Sequence, residues 1–165
     1  MKVNVFVENK YKEYKIDEVK VFKDIEKISD FIINDKVISS KSCLKGYDVA
    51  IVSFDVVLCN NAEIHRVNNQ YRKKDVPTDV ITFAIFADST EDERYIFDNE
   101  THLGEIVISL DKIKEQAKEY KRTFEDEFYF IVAHGVMHLL GFDHQTEEDF
   151  NFMMEHQNRA RDILL

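Results

Sequence analysis

The sequence predicts an α/β fold: a small, mostly parallel mixed sheet of about four strands, covered by about five helices, with a metal site on a C-terminal helix and the loop that follows it. Three observations carry this prediction. Short runs rich in Val, Ile and Phe alternate with longer stretches of helical period, the pattern of strands joined by helical crossovers. A hairpin-like connection between Phe86 and Leu103 makes one neighbouring pair antiparallel. Three of the six histidines fall between His134 and His144, near the end of the chain. With 165 residues and 44% hydrophobic content, residues 1–165 have the length and apolar content of a single domain.

Taken in order, Val3-Asn4-Val5-Phe6-Val7 alternates apolar and polar side chains and ends at Glu8-Asn9-Lys10, so it reads as a short strand near an edge. Val21, Ile25, Ile28 and Ile32 then recur at helical spacing between charged residues, which predicts an amphipathic helix. Ser39 to Tyr47 is polar, contains Gly46 and reads as a connection. Val49 to Cys59 is broken only by Ser53 and Asp55, as expected of an interior strand buried on much of both faces. Asn60 or Asn61 caps a helix carrying Ile64, Val67 and Tyr71.

That helix ends in Tyr71-Arg72-Lys73-Lys74-Asp75-Val76-Pro77-Thr78-Asp79, with the only proline and three consecutive cations, and runs into the apolar stretch Val80 to Phe86. Asp88 to Glu100 holds six acids against Arg94 and reads as a solvated, mobile loop without chemistry. Leu103 to Ser109 is a further strand, followed by a helical stripe of Leu110, Ile113, Ala117 and Tyr120. Thr123 with Asp126, and Thr146 with Asp149, resemble capping boxes and start the last two helices.

The formal net charge of -10 argues against non-specific coating of nucleic acid, which depends on Lys and Arg neutralising phosphates; any such contact is a local basic patch. Glu8 interrupts the apolar start before a secretory core forms, and no apolar run approaches the roughly 20 residues of a membrane helix, so a cytoplasmic protein is expected. Cys43 and Cys59 read as free thiols.

The chemistry lies in His134-Gly135-Val136-Met137-His138-Leu139-Leu140-Gly141-Phe142-Asp143-His144. Histidines four apart on a helix sit about 40° apart on one face, so His134 and His138 reach one ion. His144 joins them only if the helix stops and doubles back, and Gly141 supplies that stop. Three imidazoles with no nearby thiolate form the pattern of a catalytic zinc rather than a closed structural one. In zinc proteases with this spacing the residue after the first histidine is a glutamate base; here it is Gly135, which weakens a peptide-cleaving reading. A metal that polarises an oxygen also suits phosphodiester chemistry, which needs a cation for the developing charge. Arg72 is the candidate, although Arg72, Lys73 and Lys74 read equally as a solvated helix end. Asp143 either orients a ligand or completes the turn; His65 reads as a helix-surface residue, His102 as a strand-entry residue able to line a cleft, and Met153 and Met154 as core.

Three segments resemble one known family. HGVMHLLGFDH is similar to the HGxLHLxGYDH signature of the YbeY-type endoribonucleases, or rRNA maturation factors; YRKKDVPTDVITF resembles their YRxKDxPTDVLSF, and LGEIVIS their LGDIVIS. The departures are Met137 for Leu, Phe142 for Tyr, Glu105 for Asp, and Ala84 where proline is common. The resemblance implies a zinc-dependent, single-strand-specific endoribonuclease acting in ribosomal RNA processing and ribosome maturation. It implies His134, His138 and His144 as Zn2+ ligands and Arg72 as the functional arginine; Lys73 and Lys74, in the same basic turn, are the candidate RNA contacts. Implied partners are single-stranded RNA, ribosomal RNA, and ribosomal proteins or a ribosome-associated GTPase. Two other readings stay open: a zinc hydrolase of peptides or amides, and a non-catalytic ribosome assembly factor whose metal only staples the last helix and loop.

Overall fold

The computed structural model describes residues 1–164. Along the chain run β1 (Lys2–Asn9), α1 (Glu18–Asn34), α2 (Lys36–Ser39), β2 (Ile51–Cys59), α3 (Asn61–Arg72), β3 (Val80–Phe83), α4 (Ile85–Asp88), β4 (Glu100–Ser109), α5 (Leu110–Glu119), α6 (Phe124–Leu139) and α7 (Glu147–Asp162). Among the described residues there are seven α-helices rather than about five. The two extra, α2 and α4, are four residues each, too short to display a helical period in sequence.

The sheet order is β1-β2-β4-β3. β1 pairs parallel with β2, β2 parallel with β4, and β3 antiparallel with β4, so β1 is the expected edge and β3 the antiparallel neighbour. Val52, Phe54, Val56 and Leu58 of β2 alternate onto one fully buried face, with Ile106 and Ile108 of β4 beside them. Against that face pack Ile25, Ile28 and Ile32 of α1 and Phe128, Val132 and Val136 of α6. Each buried side chain of this size contributes about 1.5–3 kcal/mol.

The opposite face is covered only in part, contrary to the expectation for β2. α3 sets Ile64 and Val67 over Cys59, Ile81 and Val107, while Ser53, Asp55 and Glu105 stay part-exposed beside exposed Phe6 and His102. An amphipathic strand, not a doubly buried one, therefore occupies the sheet interior.

Caps set the helix starts. The hydroxyls of Thr123 and Thr146 accept the amides of Asp126 and Asp149, each at 3.1 Å. Asn60 rather than Asn61 caps α3, accepting Glu63 N at 2.9 Å, which leaves Asn61 Oδ1 to accept the Ser109 hydroxyl at 2.8 Å. The acidic stretch expected to be a mobile loop is tied down by Arg94. Its guanidinium donates to the carbonyls of Phe86 and Ala87 at 2.9 and 3.1 Å and to the Tyr47 hydroxyl at 3.2 Å. No helix among the described residues is long and apolar enough to cross a membrane.

Candidate metal centre

The centre is built on α6, whose inward face is apolar and whose exit end carries two histidines. Gly135 lies between α6 and β4: a Cβ there would fall 2.8 Å from Ile106 Cγ2. Its missing side chain lets the helix approach the sheet. Position 135 therefore faces the core, not the histidines.

α6 ends by a local device. Gly141 adopts φ +92°, a left-handed conformation that side chains other than glycine resist. Gly141 N–H then donates to His138 O at 3.0 Å and Phe142 N–H to Met137 O at 3.1 Å, the paired bonds of a glycine-terminated helix. The reversal carries Phe142 O to within 2.7 Å of His138 Nδ1 and brings His144 back over the helix end. The His144 ring centroid lies 5.7 Å from that of His134 and 5.5 Å from that of His138. One nitrogen from each of the three histidines lies within 4.8 Å of the others.

The hydrogen bonds fix which nitrogens are available. Phe142 O can only accept, so His138 Nδ1 carries its proton and Nε2 keeps a lone pair. His134 Nδ1 likewise donates to Gln157 Oε1 at 3.3 Å. The two Nε2 atoms then face each other at 2.9 Å as lone pair against lone pair. Such an opposition is repulsive unless a cation lies between them. Nitrogens about 2.05 Å from one tetrahedral ion are roughly 3.3 Å apart, close to the observed spacing.

Burial, then the neighbouring His138, pushes the His134 pKa down to about 4, and burial lowers that of His138. Both rings are consequently neutral near pH 7, as metal ligation requires. The donor set fits a divalent ion such as zinc, with Gln157 and the Phe142 carbonyl orienting the first two ligands.

Arg72 arrives from the other side of the sheet edge. α3 terminates with Lys73 in the left-handed region at φ 56°, its N–H donating to Asn69 O, while Lys74 N–H donates to Asn68 O, each at 3.2 Å. Buried Asn68 ties down the following turn through Nδ2 to Val76 O at 2.9 Å, and Tyr71 packs edge-on against Phe83 of β3. These contacts turn Arg72 into the cavity, about 480 Å³, that is also lined by His134, His138 and His144. Lys73 and Lys74 are exposed on the same turn but do not line that cavity.

Other residues sort less evenly. Asp143 accepts Gln145 N–H at 3.2 Å, a turn contact, while also lining the cavity. His65 pairs with Asp75 at 2.7 Å on the helix surface. His102 does not line the cleft: it sits on the open sheet face between Ser53 at 3.0 Å and Asp55 at 3.2 Å. Glu105 lies on that same face, away from the histidines. Met153 is core, 1% exposed. Cys43 and Cys59 are free, and burial pushes their thiols up to about 11 and about 12, which leaves them unreactive.

Three residues given no role in the sequence reading also belong to the site. Asp79 lines the cavity with its oxygens engaged, Oδ1 by Val80 N–H at 2.7 Å and Oδ2 by the Gln116 amide at 3.3 Å. Asp88 lines it from the end of α4, and Gln157 reaches His134 from α7. The PTD segment of the second motif was a signal for Asp79. Nothing local signals Gln157, which is 23 residues from its partner.

The profile of one family, described as Endoribonuclease YbeY, matches residues 6–164. The Endoribonuclease YbeY of Bacillus pumilus is 40% identical over 141 residues, covering 84% of this chain and 82% of that protein. The Endoribonuclease YbeY of Fusobacterium nucleatum is 44% identical over 102 residues, covering 62% of this chain and 60% of that protein. In three dimensions the chain is similar to the solution structure of TM1509 from Thermotoga maritima, with a TM-score of 0.59 and 26% identity, covering 97% of this chain and 87% of that one.

Proposed function

The chain belongs to the Endoribonuclease YbeY family, and from that premise we propose that it is a zinc-dependent endoribonuclease cutting single-stranded RNA during ribosomal RNA processing and ribosome maturation in the cytoplasm. The observation that carries the reading is the convergence of three imidazoles and one guanidinium on a single cavity. Residues 1–165 act as one domain.

In this reading His134, His138 and His144 hold the ion. Zinc, when bound, supplies Lewis acidity at a phosphoryl oxygen. Arg72 has no hydrogen bond or ion pair with another side chain among the described residues, so its donors are free to pair with non-bridging oxygens as charge builds on them. Lys73 and Lys74 attract the flanking backbone from the same turn. Of the carboxylates lining the cavity, Asp79 and Asp143 accept backbone amides, whereas Asp88 is free of such partners and is the candidate to hold a proton or orient water. The peptide-hydrolase alternative loses support because position 135, where that chemistry places its base, points at Ile106.

The test is cleavage of a labelled single-stranded RNA by purified protein. Cleavage should fall to background with a strong chelator, return on adding zinc, and be absent in His138→Ala. Cleavage indifferent to both treatments would trace to a contaminating nuclease and overturn the proposal.

A further inference from the structure

A second cavity, about 290 Å³, opens on the far side of the histidines from Arg72. His134, His144, Asp79 and Val80 line both cavities, so the two share a wall at the metal position. Their chemistry differs. The Arg72 side is rich in carboxylates and hydroxyls, whereas this one lies between aromatic and thioether groups. Tyr120 at the end of α5 and Phe150 on α7 are 53% and 49% exposed, large rings left open to solvent beside the candidate centre.

Inside is a buried polar atom without an internal partner. Gln157 is 1% exposed and lines the cavity, and its Nε2 has no hydrogen-bond partner. A buried amide left unpaired costs about 1–3 kcal/mol. Glu127 is 2% exposed and is held at its edge by a single 3.4 Å contact to Arg122. A donor and an acceptor, both desolvated, thus line a slot with aromatic sides. A planar heteroaromatic ring with hydrogen-bonding groups on its edge satisfies both features, and a purely aliphatic occupant would leave Gln157 unpaired.

Resting on the ribonuclease reading, we infer that this cavity is a nucleobase pocket: it takes one unstacked base of the single-stranded RNA, next to the phosphate at the histidines, with Tyr120 and Phe150 stacking on the ring and Gln157 Nε2 donating to its edge. Recognition of unpaired bases by aromatic stacking and edge hydrogen bonds is how proteins distinguish single strands, since a base held in a duplex cannot enter such a slot. The pocket makes single-strand preference a property of shape rather than of charge, which suits a chain of net charge -10. It also sets cleavage register, because the base in the slot fixes which phosphate lies over the metal.

The experiment uses zinc-loaded full-length protein and short single-stranded RNAs carrying 2-aminopurine, or an abasic sugar, at each position in turn around the mapped cut. The chain contains no Trp, so the base analogue reports without interference. Fluorescence should be quenched at one position beside the cut, and an abasic sugar there should raise KM about tenfold, the scale of one base–aromatic stack. Phe150→Ala and Tyr120→Ala alter exposed rings and should keep zinc content and melting temperature while raising KM by the same order. They should also restore the 2-aminopurine signal and lose sensitivity to the abasic position. Cleavage by the native protein with no quenched position, and variants of native KM, would overturn the pocket and leave the nuclease reading standing. Absence of any zinc-dependent cleavage by the native protein would instead sink the nuclease reading and the pocket with it.

Discussion

Two helix ends supply the candidate site, and they are made differently. α6 stops at Gly141, with φ +92° on a residue that tolerates it; bonds inside the segment close the reversal, and Cys43 N–H to Leu140 O at 2.9 Å and Gln157 to His134 hold it from outside. α3 stops at Lys73, with φ 56° on a residue that resists it, and its turn is held by buried Asn68 and by the packing of Tyr71 on Phe83. The metal half therefore ends its helix by conformational ease, whereas the arginine half ends its helix against local strain, which contacts within residues 68–83 offset. A site assembled from both is complete only in the folded chain.

The largest effect that separates the halves is chemical. Arg72→Ala should lower RNA cleavage by about 10²–10³-fold, the usual loss when one transition-state donor is removed, while zinc content by elemental analysis stays at that of the parent. Loss of zinc in that variant would mean the halves are not independent. Next comes conformational strain. Gly141→Ala should destabilise the fold by about 1–2 kcal/mol in chemical denaturation and weaken zinc retention. Lys73→Gly relieves similar strain but gains unfolded-state entropy, so its midpoint should stay within about 1 kcal/mol of the parent. Equal losses at both positions would erase the contrast.

A third outcome concerns pH. His134 and His138 titrate lower in the folded protein than in the unfolded chain, where a histidine titrates near 6.5. Below about 6.5 the unfolded chain takes up protons that the folded one does not, so stability of zinc-free protein is fully present above that pH and declines toward about 4. Thermal melts of chelator-treated protein across that window should show the decline, and a double His134→Gln, His138→Gln variant should flatten it. The smallest effect is expected at the exposed cations. Lys74→Ala should reduce the slope of log affinity for single-stranded RNA against log salt by about 0.7, the share of one phosphate contact.

The contrast between the two ends also explains what was legible in the sequence. The histidine cluster could be read because ligand spacing, helix period and glycine stop lie within one short stretch. The strand order at the edges was legible for a similar reason: alternation and a short connection are local signals. Arg72 was ambiguous by spacing alone, since three cations at a helix end are commonly solvated, and the bond of Asn68 to Val76 and the packing of Tyr71 on Phe83, which set its turn, are not legible in a charge pattern. Gln157 was invisible because its link to His134 joins two helices. The acidic stretch read as mobile because six charges dominate its composition, whereas one guanidinium fastened to two carbonyls and a tyrosine decides its conformation.

The contact of Gly135 with Ile106 has a consequence for how this scaffold could change its chemistry. Replacing Gly135 by glutamate would not recreate a peptidase base. The new carboxylate would be driven into the sheet, unpaired and desolvated, and α6 would have to lift away from β4, carrying two of the three histidines with it. A route from one hydrolytic chemistry to the other by a single substitution is therefore closed in this protein; the barrier lies in how the helix is seated rather than in the identity of one side chain.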